Sequence, residues 1–242
     1  MKNRDFWCIG HRGAMGYAPE NTLLSVEKAL DLGVKWIEID IYYIENELVV
    51  IHDDRLERTT NGKGYVQEQS LKYIRSLDAG EGEKIPFLKE ILDLINGRAG
   101  INIELKGVNT ANPVVKLIRE YIKYETWNID KFLVSSFNHH ELLKAKQLFP
   151  ELKIGALICA IPIDYAGFGE KLDAYSVNLS MEFVDKAFVD DAHNRGLKVL
   201  VYTVNHPEDI KKMYNIGADG VFTNYPDRVL NSTLIDIYSD KL

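Results

Sequence analysis

The chain has 242 residues, 46% of them hydrophobic, with 29 Lys and Arg against 36 Asp and Glu and a formal net charge of −7. That length and composition suit one large α/β core and exclude a disordered chain, and the acidic balance argues against a nucleic-acid binder. Cys8 and Cys159 lie far apart and form no CxxC pair, so neither a disulfide framework nor a zinc site is expected. The longest apolar stretch, residues 154–163, reaches only about half the roughly twenty residues of a membrane helix, so stable membrane insertion is not expected. With a charged start over residues 1–5 and no leader pattern, a cytoplasmic protein is expected. Nothing in the pattern specifies an oligomeric state.

Short apolar strands alternate with amphipathic helices along the chain. Strands are expected over 6–10, 35–41, 101–105, 132–135, 154–158, 174–178, 198–201 and 220–223. Helical patterns cover 21–32, 86–96, 113–124, 139–149, 181–194 and 207–216, with Asn21-Thr22 capping the first and Gly33, Gly196 and Gly217 each ending a helix. This alternation predicts an α/β fold, a (β/α)8 TIM barrel whose chemistry sits on the loops after the strands. An open doubly wound sheet is the alternative, but no GxGxxG follows the first strand. Residues 48–52 follow Ile41 too closely for a crossover helix, so a hairpin through Glu45-Asn46 is expected to bring His52 level with Asp40. Residues 53–84 are polar and glycine-punctuated, and read as a small insertion after the second strand, over the barrel mouth, within a single domain spanning 1–242.

The polar residues of these strands carry the chemistry. In Trp36-Ile37-Glu38-Ile39-Asp40-Ile41 the isoleucines share one face and the two carboxylates the other. Inside a parallel barrel, unpaired carboxylates would cost several kcal/mol, a cost that a divalent cation removes. Pairing with an Arg or Lys of a neighbouring strand is the competing explanation. Asn102, Glu104 and Lys106 repeat the pattern on the next strand. Glu104 there is a third hard oxygen donor suited to Mg²⁺ or Ca²⁺, or one half of a self-neutralising pair with Lys106. His11 and Arg12 follow the first strand, close to a helix N-terminus. Arg12 and Lys106 suit phosphate oxygens, and His11 and His52 suit proton transfer. Together these groups point to metal-assisted phosphodiester hydrolysis. Glu20 either serves the site or shapes its turn, and His139, His140, His193 and His206 receive no role.

An ordered set of motifs then supports a resemblance. His11-Arg12-Gly13, Pro19-Glu20-Asn21-Thr22, Glu38-x-Asp40, His52-Asp53 and Arg58-Thr59-Thr60-Asn61-Gly62 come first. Ile85-Pro86, Glu104-x-Lys106, Ser136-Phe137, Thr203-Val204-Asn205 and Gly217-Ala218-Asp219-Gly220 complete the set over nearly the whole chain. The chain resembles the glycerophosphodiester phosphodiesterases, TIM barrels of the phosphatidylinositol-phospholipase-C-like group. The resemblance implies a small-molecule glycerophosphodiester substrate, such as glycerophosphocholine or glycerophosphoethanolamine, cleaved to sn-glycerol 3-phosphate and an alcohol. It implies His11 and His52 as acid and base, Arg12 and Lys106 as phosphate ligands, and Glu38, Asp40 and Glu104 as ligands of one divalent cation, Mg²⁺ or Ca²⁺. Attack by water and attack by a glycerol hydroxyl through a cyclic phosphate both remain open. Two departures stand out: Tyr202 replaces a frequent Trp, and Ile44-Glu45-Asn46-Glu47 replaces a glycine-containing turn. The rival readings are a phospholipase acting on lysophospholipids or phosphatidylinositol, and a non-catalytic phosphate-binding barrel, which the complete residue set disfavours.

Overall fold

The computed structural model describes residues 5–232. Its first half runs β1 (Trp7–Gly10), α1 (Leu23–Asp31), β2 (Trp36–Ile44), β3 (Glu47–Val50), α2 (Leu71–Ser76), α3 (Leu88–Ile95), β4 (Gly100–Leu105) and α4 (Ala111–Tyr121). The second half runs β5 (Phe132–Ser136), α5 (His139–Leu148), β6 (Lys153–Ile158), α6 (Gly167–Lys171), β7 (Ser176–Ser180), α7 (Lys186–Asn194), β8 (Lys198–Tyr202), α8 (Pro207–Ile216), β9 (Gly220–Thr223) and α9 (Pro226–Leu230). β1 pairs in parallel with both β9 and β2, and β2 pairs with β4, so eight parallel strands close into a barrel. The predicted TIM barrel is present.

Strand alternation sorts the core into two layers. Ile37, Ile39, Ile41, Ile101, Ile103, Val134, Val177, Val199 and Val221 point outward and are buried with the helices. Ile9, Leu133, Leu200 and Phe222 fill the barrel interior, with Trp7, Trp36 and Tyr175 packed against them. Trp7 and Trp36 stack with centroids 4.7 Å apart, an arrangement worth about 0.5–1.5 kcal/mol beyond its buried area. Above them the interior turns polar.

Side-chain caps set several of the helix starts. Thr22 accepts a hydrogen bond from the Ser25 amide and opens α1, as the capping pattern predicts. The helix expected over 181–194 begins only at Lys186, because Asp185 caps it through the Phe188 amide. Gly33, Gly196 and Gly217 all adopt left-handed backbone, with φ of 85°, 77° and 107°.

The hairpin forms as expected and adds two facts. Residues Ile41–Ile44 of β2 continue past the barrel and pair antiparallel with β3. Its turn residues Glu45 and Asn46 are both left-handed, φ 46° and 68°, the conformation of a two-residue type I′ turn. The excursion after it is better packed than its polar composition predicts. Leu56, Val66, Ile74 and Leu77 join Tyr42, Ile44, Val49 and Ile51 in a separate apolar cluster, and α2 lies within it. The apolar residues of this segment are few, but the hairpin face carrying Tyr42 and Ile44, continuous with that of Glu38 and Asp40, gives them a surface to cover.

Candidate active site

Strand register builds the site. β1 places Gly10 beside Ile37, so His11 and Arg12 emerge next to Glu38. β2 and β4 align Glu38 with Asn102 and Asp40 with Glu104. The Ile51 amide donates to the Asp40 carbonyl at 3.0 Å, which brings His52 to the same level. All seven predicted site residues therefore meet at the C-terminal ends of the strands. Six of them, all but Asp40, line a cleft of about 160 Å³ that Phe137, Leu157, Tyr202 and Phe222 close on its apolar side. A larger hollow of about 270 Å³ at the opposite end, among Lys35, Trp36 and Leu230, is lined by none of these seven.

The carboxylates crowd together. Glu38, Asp40 and Glu104 each bring an oxygen within 4.8 Å of the others. Burial, then the charges of Asp40 and Glu104, push the Glu38 carboxyl well above the ordinary range. Burial and the Asp40 charge push Glu104 up to about 7. The competing explanation is met in part: Arg12 Nε lies 3.3 Å and Lys106 Nζ 3.9 Å from Asp40, and Lys106 donates to Glu104 at 2.9 Å. Those cations do not satisfy the set. Among the described residues, Glu38 Oε1 and Asp40 Oδ1 are buried and accept no hydrogen bond. Three converging carboxylates with two orphaned oxygens fit a hard divalent cation.

Each histidine is held through Nδ1. His11 donates from Nδ1 to Asn224 Oδ1 at 2.7 Å, since an amide oxygen can only accept. Its Nε2 is thereby left bare, 4.0 Å from Glu38. Burial and then the Arg12 charge lower its pKa to about 4. His52 donates from Nδ1 to Asp53 Oδ1 at 2.6 Å, and its Nε2 accepts from Lys106 at 3.1 Å. Burial is also the main cause of its lowered pKa. Both rings therefore present Nε2 to the cleft.

The loop after β1 is bent into place. Arg12 takes a left-handed φ of 51° and donates its amide to Glu38 at 2.9 Å. Gly13, at φ 84°, sits so close to α1 that a Cβ there would lie 2.4 Å from Ser25 Oγ. The Arg12 carbonyl accepts from Ser25 Oγ at 2.8 Å and from the Asn21 amide at 3.1 Å.

Several supporting residues were not legible as such. Asn21, read as part of a cap, instead donates to Asp40 Oδ2 at 2.9 Å and accepts from the Asp40 amide at 3.2 Å. Glu20 reaches the site residues: it accepts from Arg12 at 2.6 Å. Asn224 carried no signal, being 213 residues from its partner His11. Asp53 and Arg58 stood within the quoted motifs, without an assigned task. Phe137 and Tyr202 meet edge to face at 5.8 Å in the cleft wall. Of the unassigned histidines, His139 bonds to the Leu157 carbonyl and His193 to Asp219.

Relatives share this arrangement of chain and fold. A glycerophosphodiester phosphodiesterase of Caldanaerobacter subterraneus subsp. tengcongensis is 34% identical over 92% of this chain and 96% of its own. The structure of an Oleispira antarctica phosphodiesterase in complex with the product sn-glycerol-3-phosphate superposes with a TM-score of 0.86 at 36% identity, covering 95% of this chain and 96% of that one. A Silicibacter pomeroyi protein described as a glycerophosphoryl diester phosphodiesterase gives a TM-score of 0.87 at 26% identity, over 98% and 95% of the two chains. The sequence profile of the Glycerophosphoryl diester phosphodiesterase family matches residues 11–228, nearly the whole barrel, and the chain belongs to that family.

Proposed function

We propose that this chain hydrolyses glycerophosphodiesters such as glycerophosphocholine and glycerophosphoethanolamine to sn-glycerol 3-phosphate and an alcohol, using one divalent cation, Mg²⁺ or Ca²⁺. Glu38, Asp40 and Glu104 would hold the cation, which as a Lewis acid would offset negative charge developing at the phosphate. The observation that carries this reading is the convergence of these three carboxylates between two histidines and two cations at one barrel mouth.

The side chains divide the work by charge. Arg12, held between Glu20 and Asp40, and Lys106, beside Glu104, face the phosphate as it gains negative charge in the transition state. His11 is backed by a neutral amide, which supports an imidazolium less than a carboxylate does, so its bare Nε2 is the base for the attacking hydroxyl. His52 is backed by the Asp53 carboxylate, which stabilises an imidazolium, so once the Nε2 that accepts from Lys106 has taken up a proton it passes that proton to the leaving alcohol oxygen. The barrel with its insertion acts as one catalytic unit.

The test is release of glycerol 3-phosphate from glycerophosphocholine by metal-stripped protein, before and after adding Mg²⁺ or Ca²⁺. Release restored by either ion is the expected result. Absence of release with both ions, across several glycerophosphodiesters, overturns the reading.

One observation favours a second substrate. Phe137, Ile161 and Ile163, in the loops after β5 and β6, expose apolar side chains at the catalytic end, Ile163 completely. A lysophospholipid would cover them with its acyl chain. Choline release from lysophosphatidylcholine, compared with that from glycerophosphocholine, decides between the two. Among the described residues no helix is long and apolar enough to cross a membrane.

A further inference from the structure

Arg58 of the insertion ties two residues at the rim of the site together. Arg58 forks onto two carboxylates at once. It donates to Asp53 from Nε at 2.5 Å and from Nη2 at 2.8 Å, and to Glu20 from Nη1 at 2.7 Å and from Nη2 at 2.8 Å. Behind Asp53 stands His52, and behind Glu20 stands Arg12. A continuous chain of charge-assisted hydrogen bonds thus runs from one presumed proton-transfer group, through Arg58, to one presumed phosphate ligand. Paired, bidentate guanidinium–carboxylate contacts fix direction as well as distance.

Arg58 is itself anchored. Two residues before it, Leu56 is fully buried in the apolar cluster of the insertion. Its carbonyl accepts from both the Thr60 amide, at 3.1 Å, and the Thr60 hydroxyl, at 2.7 Å. The same hydroxyl accepts from the Gly62 amide at 2.9 Å, tightening the turn that carries Arg58. The Arg58 side chain is 47% exposed, whereas Glu20 is only 10% exposed. Its head group therefore sits over the rim, with the carboxylates beneath.

We propose that Arg58 is a positioning residue: it holds His52 through Asp53 and Arg12 through Glu20, making the fold of the insertion a determinant of catalytic geometry. Rotation of the Asp53 carboxylate would swing the imidazole it holds, and release of Glu20 would let Arg12 follow it away from Asp40. Arg58 also neutralises two carboxylates that would otherwise repel an anionic substrate. The inference about turnover rests on the proposed phosphodiesterase activity, whereas the inference about His52 does not.

The experiment pairs kinetics with imidazole NMR on Arg58→Ala and Arg58→Lys. Arg55→Ala is the control, because Arg55 lies in the same insertion and its guanidinium pairs with Glu57 and Tyr65, neither of them a residue of the proposed site. Turnover of glycerophosphocholine is expected to fall about 100-fold in Arg58→Ala, the scale on which a misplacement of about 1 Å acts. Arg58→Lys keeps the charge but not the double fork, and is expected to remain at least tenfold impaired. Guanidinium ion at millimolar concentration should restore part of the alanine variant's activity, which repair of a merely destabilised fold would not explain. In the protein without added ion, long-range ¹H–¹⁵N spectra should show His52 as the Nδ1–H tautomer in wild type and Arg55→Ala. Arg58→Ala should show it as a tautomer mixture. Wild-type kinetics and an unchanged His52 tautomer in Arg58→Ala would overturn the proposal, as would full activity in Arg58→Lys. If the wild type itself is inactive on every glycerophosphodiester, the functional reading fails, and the His52 tautomer alone still decides the role of Arg58.

Discussion

His11 and His52 illustrate how the partner of one ring nitrogen decides the use of the other. An amide oxygen behind His11 and a carboxylate behind His52 would give the two imidazoles different proton affinities in the proposed reaction. His11→Ala and His52→Ala should each abolish turnover while leaving the unfolding temperature within a few degrees of wild type. Neither ring is a main core contact, as each retains some exposure, 16% and 28%. Kinetics and thermal melts on the purified variants check this, and a near-normal rate in either removes that histidine from the mechanism.

At the scale of elements, the two ends of the barrel do different jobs. The catalytic end gathers like charges, whereas the opposite end disperses them. Asp219, just before β9, accepts from the Val199 amide at 2.9 Å, from Lys198 at 2.9 Å and from His193 at 2.8 Å, tying α7 and β8 to β9. Burial alone would raise its pKa, but the Val199 amide, His193 and Lys198 together hold it below the ordinary carboxylate value. A depressed folded-state pKa means stability that is present above the unfolded value near 3.9 and is lost as pH falls through the folded value. Asp219→Asn should therefore cost about 1–3 kcal/mol at pH 7, and the gap to wild type should shrink below about pH 4. Urea unfolding at pH 7 and pH 3 measures it, and an equal gap at both pH values would remove the ion pairs from the account.

For the whole molecule, closure of the barrel concentrates the cost of the site in one place. Glu38 and Glu104 both carry raised pKa values, Glu104 to about 7, so at these two groups the folded protein without a cation binds more protons than the unfolded chain. Stability from these two groups therefore falls as pH rises from the ordinary carboxylate range through about 7. A divalent cation competes with those protons, so it should stabilise the fold more at pH 8 than at pH 6. At one hundred times its dissociation constant it would contribute about 2.7 kcal/mol. Thermal melts with and without Mg²⁺ or Ca²⁺ at both pH values test this independently of turnover. A shift that persists unchanged in Glu104→Gln would place the ion elsewhere.

The sequence by itself determined what short-range periodicity encodes. A period of two puts Glu38 and Asp40 on one face of β2 and Glu104 on the matching face of β4. The spacing after Ile41 permits a hairpin and no crossover helix, and so sends His52 back to Asp40. Strands alternating with helices specify the barrel, because each needs the other to bury its apolar face. Only the tertiary structure decided which side chains support the site. Asn224 reaches His11 because β9 closes against β1 at the end of the chain. Arg58 reaches Glu20 because the insertion packs its few apolar residues onto the face of the β2–β3 hairpin that carries Tyr42, Ile44, Val49 and Ile51. Such contacts depend on ring closure and side-chain direction between segments far apart in the chain, for which no local pattern exists.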